Sequence, residues 1–153
     1  MEFCTLKQKM LQNNQVEDKN MALLSIILPS YNEEQNIANT ASVLSKLLKE
    51  HQIEYELIFV SDGSKDATYA EIVKVAETDS HIKGAEFSRN FGKEATIFAG
   101  MQLATGDACI VMDCDLQHPP EVISKMWELW QQGYEVVEGV KSKRGKESLA
   151  YKL

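Results

Sequence analysis

The chain contains 153 residues, of which 44% are hydrophobic and 25% are charged, and its net charge at neutral pH is −7. These values are typical of one soluble folded domain and exclude a disordered chain. The acidic balance, without a clustered basic face, argues against nucleic acid as a partner, and it means that an anionic substrate would need a local cation. No run of 18 apolar residues is present, so no membrane span is expected within these residues.

The cysteines and the N-terminus indicate the compartment. Cys4, Cys109 and Cys114 are an odd number without paired spacing, which predicts a reducing environment rather than a disulfide framework or a zinc site. The N-terminus lacks the charged-then-apolar pattern of a signal peptide. Both features predict a cytosolic location.

The chain begins with a polar segment, and short apolar runs occur at intervals after it. Residues 1–20 have no sustained periodicity, which predicts a mobile leader or a short helix. From residue 21 onward the apolar runs alternate with helical patterns, as is typical of a mainly parallel sheet that is buried on both faces. The predicted strands are Leu23–Leu28, Tyr55–Val60, Ile82–Phe87, Ala108–Met112 and Val136–Val140.

The first two segments between the strands are predicted helices with polar caps. Asn32 precedes Glu33–His51, in which the apolar residues have helical spacing. Ser64 or Asp66 caps the second helix, which ends near Thr78. This alternation of strands and helices predicts an α/β fold with right-handed crossovers.

Two further helices are expected in the second half. Lys93–Leu103 is apolar over much of its surface, which predicts a central helix. The fourth helix begins at Pro119 or Pro120, because proline is tolerated in a first helical turn. Its predicted buried residues are Val122, Met126, Leu129 and Trp130.

The last residues differ in composition from the rest. A basic, polar stretch, KSKRGKES, follows Val140, and residues 148–153 look like the start of another element. The sheet is therefore expected to be incomplete at its C-terminal side, as in an N-terminal fragment. The predicted organisation is a leader (1–20), an α/β unit (21–147) and a truncated element (148–153).

Polar clusters follow the first four predicted strands. Ligands of open α/β sheets bind beyond the carboxyl ends of the strands. Four consecutive clusters of this kind predict one site at one edge of the sheet. The clusters are Pro29–Glu34, Ser61–Asp66, Ser88–Lys93 and Asp113–His118.

The pair Asp113-x-Asp115 is the sharpest chemical signal. Two carboxylates one residue apart at a strand end can converge on one hard cation, and Mg²⁺ and Mn²⁺ prefer such oxygen ligands. The alternative is that both aspartates form a turn before Pro119; the neighbouring clusters favour the metal. Cys114 is predicted to be a small filler between the two aspartates rather than a nucleophile.

Asp62 and Tyr31 are candidates for contacts with a nucleoside. Asp62 precedes Gly63, and a carboxylate at such a turn can accept a hydrogen bond from a nucleobase N–H. An ordinary Asp-Gly turn is an equally good interpretation. Tyr31 can stack on a base, although an aromatic residue at a strand end more often serves packing.

Polar and basic residues near the same edge are candidates for contacts with phosphate. Arg89 and Lys93 either meet phosphate or are solvated charges at a helix start, and Asn90 joins Lys93 as a donor-binding candidate. Lys141 and Arg144 follow the fifth predicted strand and can clamp a diphosphate. A solvated tail is the alternative for the last two.

These residues together resemble the family 2 glycosyltransferases, whose catalytic domain has the GT-A fold. Within that family the third and fourth matching segments look like the polyprenyl-phosphate transferases, the bactoprenol glucosyltransferase and dolichol-phosphate mannose synthase group. The segments occur in the family's order and cover nearly all of residues 21–147. They are SIILPSYNEEQNI (Ser25–Ile37), VSDGSKDAT (Val60–Thr68), SRNFGKEATIFAG (Ser88–Gly100), MDCDLQHPPE (Met112–Glu121) and EVVEGVKSKR (Glu135–Arg144).

The resemblance implies a role for each matching residue. The residues implied to hold the nucleoside are Pro29, Tyr31, Glu33 and Asp62. Those implied to bind the metal, Mg²⁺ or Mn²⁺, and the diphosphate are Asp113, Asp115 and Gln117, of which the two aspartates are the catalytic pair. Lys141 and Arg144 would reach the donor phosphates. Ser61 stands where the family commonly has a second Asp, and Lys141 where Arg is usual, which weakens a bidentate phosphate contact.

The resemblance also implies the reaction. It implies an inverting transfer of a sugar from a nucleotide-sugar, such as UDP-glucose, to a polyprenyl-phosphate lipid. The transfer would take place at the cytoplasmic face of the membrane, and the membrane segments would lie beyond this chain. A lipid phosphate is already ionised and needs no general base, and no obvious base follows Gln117.

Two other interpretations remain at this point, and a third is set aside. The first alternative is a soluble family 2 enzyme that acts on a saccharide hydroxyl, and the second is an inactive nucleotide-sugar-binding fragment. A dinucleotide-binding oxidoreductase is disfavoured because the eight glycines contain no GxG pair.

Overall fold

The computed structural model describes residues 22–139, in which four strands alternate with four helices. The strands are Leu23–Ser30 (β1), Glu54–Ser61 (β2), Ile82–Glu86 (β3) and Ala108–Val111 (β4). The helices are Ile37–Glu50 (α1), Thr68–Thr78 (α2), Lys93–Leu103 (α3) and Val122–Gln131 (α4). The predicted α/β class is confirmed, and each of these four strands lies within two residues of its predicted bounds.

The strands form one parallel sheet in the order β3-β2-β1-β4. The central pair, β1 and β2, is in register from Leu23 opposite Glu54 to Ser30 opposite Ser61. Because the strands are parallel, their carboxyl ends lie at one edge of the sheet. The segments that leave these ends are the ones that carry the predicted polar clusters.

The two faces of the sheet are covered differently. Leu24, Ile26 and Leu28 of β1 enter the main core together with residues of α1, α2 and α4. The opposite face is covered by α3, in which Gly100 lies directly on β1. A Cβ atom at Gly100 would stand 2.4 Å from Cγ2 of Ile27, so only glycine permits this close approach.

The first helix begins at Ile37 rather than at Glu33, and Asn32 does not cap it. Asn32 has a φ of +55°, accepts a hydrogen bond on Oδ1 from the N–H of Lys65 at 2.9 Å, and donates its own N–H to Ser64 Oγ at 3.1 Å. Asn32 therefore does not cap a helix, as the local pattern predicts, but joins the segment after β1 to the turn after β2. Its partners are more than 30 residues away in the chain, where the local pattern contains no information about them.

The helices α2 and α4 begin at Thr68 and Val122, which is one to three residues after their predicted starts. Asp66, one of the two predicted caps of α2, accepts the N–H of Thr68 on Oδ1 at 3.0 Å. The chain enters α4 directly after the two prolines, and the carbonyl of Pro120 accepts the N–H of Ile123 at 3.0 Å. Asp66 therefore binds the first residue of α2 from the position before its N-cap, Ala67, and the proline pair precedes α4 instead of forming its first turn.

The predicted buried face of α4 is wrong by one position. Ile123 and Trp127 are buried, whereas Val122 is 41% exposed. The other predicted residues are only half-buried: Met126, Leu129 and Trp130. Apolar residues occupy two adjacent stripes of this helix, and contact with the sheet, not periodicity, decides which stripe is buried.

The prediction that α3 is central is also wrong for the described residues. Only Thr96 and Gly100 of this helix are buried, and Phe98 and Met101 are 64% and 47% exposed. The helix touches the sheet through its small residues and leaves its large apolar side chains outside.

No helix among residues 22–139 has both the length and the apolar character needed to cross a bilayer.

The fifth predicted strand, Val136–Val140, is not found in its described part. Residues 136–139 form no strand, and Val136 is 87% exposed. An apolar run becomes a strand only where a neighbouring strand supplies hydrogen bonds, and these four residues have no such pairing. Val140, the predicted leader at 1–20 and the predicted element at 148–153 lie outside the described residues.

Candidate active site

A pocket of about 360 Å³ opens at the carboxyl edge of the sheet, where the segments after all four strands meet. The four polar clusters therefore come together as predicted. The lining residues are Pro29, Ser30, Tyr31, Glu33, Asp62, Asn90, Gly92, Lys93, Thr96, Asp113, Cys114 and Asp115.

A larger groove, of about 530 Å³, lies between α1 and α2. Its lining includes Ala41, Val75 and Ile82, and the last of these begins β3, so the groove extends toward the amino ends of the strands. Because ligands of open α/β sheets bind beyond the carboxyl ends, the smaller pocket is the candidate site.

Asp113 and Lys93 form an ion pair in the pocket. The ammonium of Lys93 lies 2.5 Å from Asp113 Oδ1, and both side chains are about half exposed. This lysine, the first residue of α3, places a cation at the pocket of an acidic protein. Since the two residues are 20 positions apart in the chain, only the fold brings them together.

Asp115 is exposed at the same pocket, and one of its oxygens is used by the backbone. Asp115 Oδ1 accepts the N–H of Gln117 at 3.1 Å, and Leu116 between them has a φ of +54°. This is the Asx-type turn that the alternative interpretation of the aspartates expected. The second carboxylate oxygen of Asp115 has no partner among the described residues, so the turn and a ligand role are compatible.

Cys114 lies between the two aspartates and points inward. Its side chain is 2% exposed, its Sγ is 3.0 Å from Ser30 Oγ, and its carbonyl oxygen accepts the hydroxyl proton of Thr40 at 2.5 Å. Burial raises the pKa of the thiol to about 12, and the hydrogen bond with Ser30 only partly opposes this effect. A thiol held protonated in this way is not a nucleophile, in agreement with the predicted filler role.

Asp62 binds the protein backbone with both carboxylate oxygens. Oδ1 accepts the N–H of Phe91 at 2.7 Å, and Oδ2 accepts the N–H of Gly92 at 2.9 Å. The residue is 4% exposed although it lines the pocket. Asp62 therefore holds the loop that precedes α3, in addition to any contact with a nucleoside.

Gly63 brings that loop even closer to the turn after β2. It has a φ of +61°, and a Cβ atom at this position would stand 2.4 Å from the carbonyl carbon of Arg89. Both the left-handed backbone and the lack of space require glycine here. Asp62 and Gly63 thus position the residues that lead into Lys93.

Three more residues that the resemblance assigns to a nucleoside line the pocket. Tyr31 is 40% exposed and available for stacking, while Pro29 is half-buried. Glu33 is also half-buried, and its carboxylate accepts a hydrogen bond from Asn36 Nδ2 at 2.5 Å. The pocket thus contains all four residues that the resemblance assigned to the nucleoside, counting Asp62.

Four other candidates are not placed in the pocket. Arg89 lies over the ring of Phe91, 4.8 Å from its centroid, and neither residue lines the pocket. Gln117 is exposed next to Asp115 but is also not a lining residue. Lys141 and Arg144 lie outside the described residues.

The sequence interpretation missed Thr40. It is completely buried in α1, among the apolar residues of the stripe that includes Ile37, Ala41 and Leu44. A threonine in an otherwise apolar stripe was the available signal, because a buried hydroxyl needs a hydrogen-bond partner. The identity of that partner, Cys114, is not visible in the sequence.

The donor set at the pocket fits a divalent metal only in part. Asp113 and Asp115 offer hard oxygen ligands, and among residues 22–139 no group of three or more His, Cys, Asp or Glu residues is arranged to hold a metal. Two carboxylates suit Mg²⁺ or Mn²⁺ when substrate phosphates and water complete the coordination shell. The residues therefore fit a metal that binds together with a phosphate-bearing ligand.

The parallel sheet with its flanking helices defines an α/β domain of the GT-A type. The fold is similar to that of the mannosyltransferase PcManGT from Pyrobaculum calidifontis, which was solved in complex with GDP-Man and Mn²⁺. The TM-score is 0.59 at 20% sequence identity, and the match covers 81% of this chain and 37% of that chain.

Sequence comparison identifies the family. Residues 25–153 match the family model described as Glycosyl transferase family 2, and the chain belongs to this family of transferases. It is 46% identical over 120 residues to the uncharacterized glycosyltransferase YkcC of Bacillus subtilis (strain 168), and 41% identical over 121 residues to the prophage bactoprenol glucosyl transferase homolog of Escherichia coli (strain K12). The matches cover 78% and 79% of this chain but only 37% and 40% of those relatives.

Proposed function

We propose that this chain binds the nucleotide-sugar donor of an inverting glycosyltransferase whose acceptor is a polyprenyl phosphate. The observation that carries the proposal is the meeting of Asp113, Asp115 and Lys93 in one pocket at the carboxyl edge of the sheet. Family membership supports sugar transfer. The similarity to a bactoprenol glucosyl transferase homolog supports a lipid-phosphate acceptor and a glucosyl donor such as UDP-glucose.

The donor is proposed to lie across the pocket, from the end of β1 to the end of β4. The nucleoside lies at the side formed by Pro29, Tyr31, Glu33 and Asp62. The donor phosphates are proposed to lie near the residues that can carry or balance their charge: Asn90, Lys93, Asp113, Asp115 and Gln117. Lys141 and Arg144, which lie outside the described residues, are proposed to contact the same phosphates.

The metal and its ligands are part of the same proposal. Asp113 and Asp115 would hold Mg²⁺ or Mn²⁺, with Gln117 as a further ligand. When bound, the metal would stabilise the negative charge of the departing nucleoside diphosphate. The ammonium of Lys93, which contacts Asp113, is close enough to turn toward the same phosphates.

The hydrogen bonds and proposed roles of the pocket carboxylates favour an acceptor that needs no general base. Asp62 accepts two backbone N–H groups, Asp113 pairs with Lys93, and the carboxylate of Glu33 accepts from Asn36. Glu33, Asp113 and Asp115 each keep one carboxylate oxygen without a partner among the described residues. The two aspartates are proposed to bind the metal and Glu33 the nucleoside, so none of these carboxylates is assigned as a general base.

An ionised phosphate oxygen can attack the anomeric carbon directly. The bond from that carbon to the diphosphate breaks on the opposite face, and the electron pair leaves with the nucleotide. Because the proposed acceptor is a membrane lipid and the odd number of cysteines predicts a reducing compartment, the reaction is proposed to take place at the cytoplasmic face of the cell membrane.

Calorimetric titration with UDP, UDP-glucose and GDP-mannose, in Mn²⁺ and in EDTA, tests the donor site. We expect one nucleotide to bind in the presence of Mn²⁺, and Asp115→Ala to weaken this binding by about tenfold or more, equivalent to about 1.4 kcal/mol. Glu77→Ala on the exposed side of α2 is the matched control and should bind like the unchanged protein. Absence of binding in a folded sample would contradict the proposal.

Transfer of labelled sugar then separates the acceptor alternatives. Product with polyprenyl phosphate in vesicles supports the proposal, whereas product only with a saccharide acceptor supports a soluble family 2 enzyme. Nucleotide binding without any product would support an inactive binding module.

A further inference from the structure

Two buried hydroxyl groups contact the residue between the metal-binding aspartates. Thr40 Oγ1 of α1 donates to the carbonyl oxygen of Cys114 at 2.5 Å, and Ser30 Oγ at the end of β1 lies 3.0 Å from Cys114 Sγ. Thr40 is 0% exposed, and Ser30 and Cys114 are each 2% exposed. Neither hydroxyl group is explained by the proposed contacts with the donor.

The hydroxyl group of Ser30 lies within hydrogen-bond distance of two groups. Ser30 Oγ is 3.0 Å from the carbonyl oxygen of Leu28. In the contact with Cys114 either Ser30 Oγ or the thiol can be the donor, since the hydroxyl group can direct its single proton to the carbonyl oxygen or to the sulfur. Cys114 is thus held at two points, its carbonyl by α1 and its side chain by β1.

Both hydrogen bonds hold Cys114, which lies between the two candidate metal ligands, Asp113 and Asp115. The Cys114 side chain is buried while Asp113 and Asp115 are open to the pocket. If Cys114 turned or shifted, both carboxylates would move with it, because they are joined to it by peptide bonds. A site that binds a small cation with two protein ligands is sensitive to displacements of about an ångström.

We propose that Thr40 and Ser30 are positioning residues that hold the Asp113–Asp115 segment in the geometry that binds the metal and the diphosphate. The inference rests on the proposed function of this pocket. It gives α1 a role in metal affinity, although this helix contributes no metal ligand. Thr40 makes the stronger contribution because its bond is short, completely buried and directed at the backbone.

Thr40→Val tests the inference, since it removes the hydroxyl group and keeps the shape of the side chain. The measurement is titration with UDP, in Mn²⁺ and in EDTA, together with the Mn²⁺ affinity of the UDP-bound protein. We expect the Mn²⁺-dependent affinity to fall by about tenfold, the scale of outer-shell effects on metal sites. The affinity for UDP in EDTA should change by less than about twofold, because the nucleoside side of the pocket is not touched.

Two further variants separate positioning from general stability. Thr40→Ser keeps the hydroxyl group and should restore most of the Mn²⁺-dependent affinity. Ser45→Ala removes another buried hydroxyl group of α1, whose partner Asp79 lies outside the pocket, and should leave both affinities unchanged. Thermal unfolding of every variant identifies losses that come from unfolding.

The outcomes distinguish this inference from the proposed function. If the unchanged protein binds UDP with Mn²⁺ and a folded Thr40→Val binds equally well, the positioning role is wrong and the donor site stands. If Thr40→Val does not fold, Ser30→Ala replaces it, and unaltered Mn²⁺-dependent binding in that variant overturns the inference. If the unchanged protein binds no nucleotide, both proposals fail together.

Discussion

At the scale of single residues, the pocket is determined by which polar atoms already have partners inside the protein. Asp62 illustrates this. Its two oxygens accept the N–H groups of Phe91 and Gly92, so the carboxylate stabilises the loop before α3 whether or not a nucleoside is bound. The same loop carries Lys93 to Asp113. A change at Asp62 is therefore expected to alter both stability and the phosphate side of the pocket.

Asp62→Asn tests this double role. The amide has one acceptor oxygen, so one of the two backbone N–H groups loses its partner and faces an NH₂ group instead. Burial of an unsatisfied donor costs about 1–3 kcal/mol, and we expect a loss of this size in the free energy of unfolding. Urea denaturation measures it, with Glu77→Gln on exposed α2 as a control that should stay within about 0.5 kcal/mol. Unchanged stability in Asp62→Asn would show that the loop does not depend on this carboxylate.

At the scale of secondary structure elements, Glu56 joins three strands and a turn. Its carboxylate accepts from Ser25 Oγ of β1 at 2.6 Å and from the N–H of Thr105 at 2.6 Å, and it pairs with Lys83 of β3 at 2.5 Å. Burial raises the pKa of Glu56, but the hydrogen bonds from Lys83, Ser25 and Thr105 outweigh burial and lower it to about 2. The ionised form is thus the one that the folded state stabilises.

This pKa predicts an acid-dependent loss of stability. A carboxylate whose pKa is lower in the folded state than its ordinary 4.5 contributes stability above that value and loses it as the pH falls through about 2. The interval from 4.5 to about 2 corresponds to about 3 kcal/mol. Urea denaturation from neutral pH down to about pH 2 should show this loss in the unchanged protein.

Glu56→Gln should be less stable at neutral pH and should lose less stability in acid. Glu54→Gln, at the exposed first residue of β2, is the matched control and should retain the pH dependence of the unchanged protein. The assignment to Glu56 is wrong if Glu56→Gln and the unchanged protein lose stability in parallel over this range.

At the scale of the whole molecule, the outer side of α3 presents large apolar side chains to solvent. Phe98, Met101 and Leu103 are 64%, 47% and 43% exposed, and Val111 of the edge strand β4 is 38% exposed. Exposed apolar patches of this kind promote association between protein molecules. The unpaired edge of β4 among the described residues adds to this tendency.

We therefore expect the chain to associate in a concentration-dependent way through α3. The double variant Phe98→Lys and Met101→Lys should reduce the association while changing the free energy of unfolding by less than about 0.5 kcal/mol per residue. Sedimentation velocity over a range of concentrations measures this. Gln131→Lys and Gln132→Lys at the end of α4 add the same charge elsewhere, and equal dissociation in both variants would mean that net charge, not the α3 surface, controls association.

The sequence alone was sufficient for the features that depend on local pattern. The apolar runs predicted β1 to β4, and the prolines predicted the start of α4 to within three residues. The polar clusters after the strands predicted one site, because parallel strands place their carboxyl ends together. The motif residues also predicted the family, since the combination of segments is specific even where each segment is not.

Only the tertiary structure decided how the polar and apolar residues are used. Asn32 contacts the turn after β2 instead of capping α1, Asp62 binds a loop about 30 residues away, and Thr40 binds Cys114 across 74 residues. The exposure of the large apolar side chains of α3 was likewise decided by the tertiary structure. Periodicity describes the neighbours of a residue along the chain, whereas hydrogen-bond partners and burial depend on elements that are distant in sequence, and these become neighbours only when the sheet assembles.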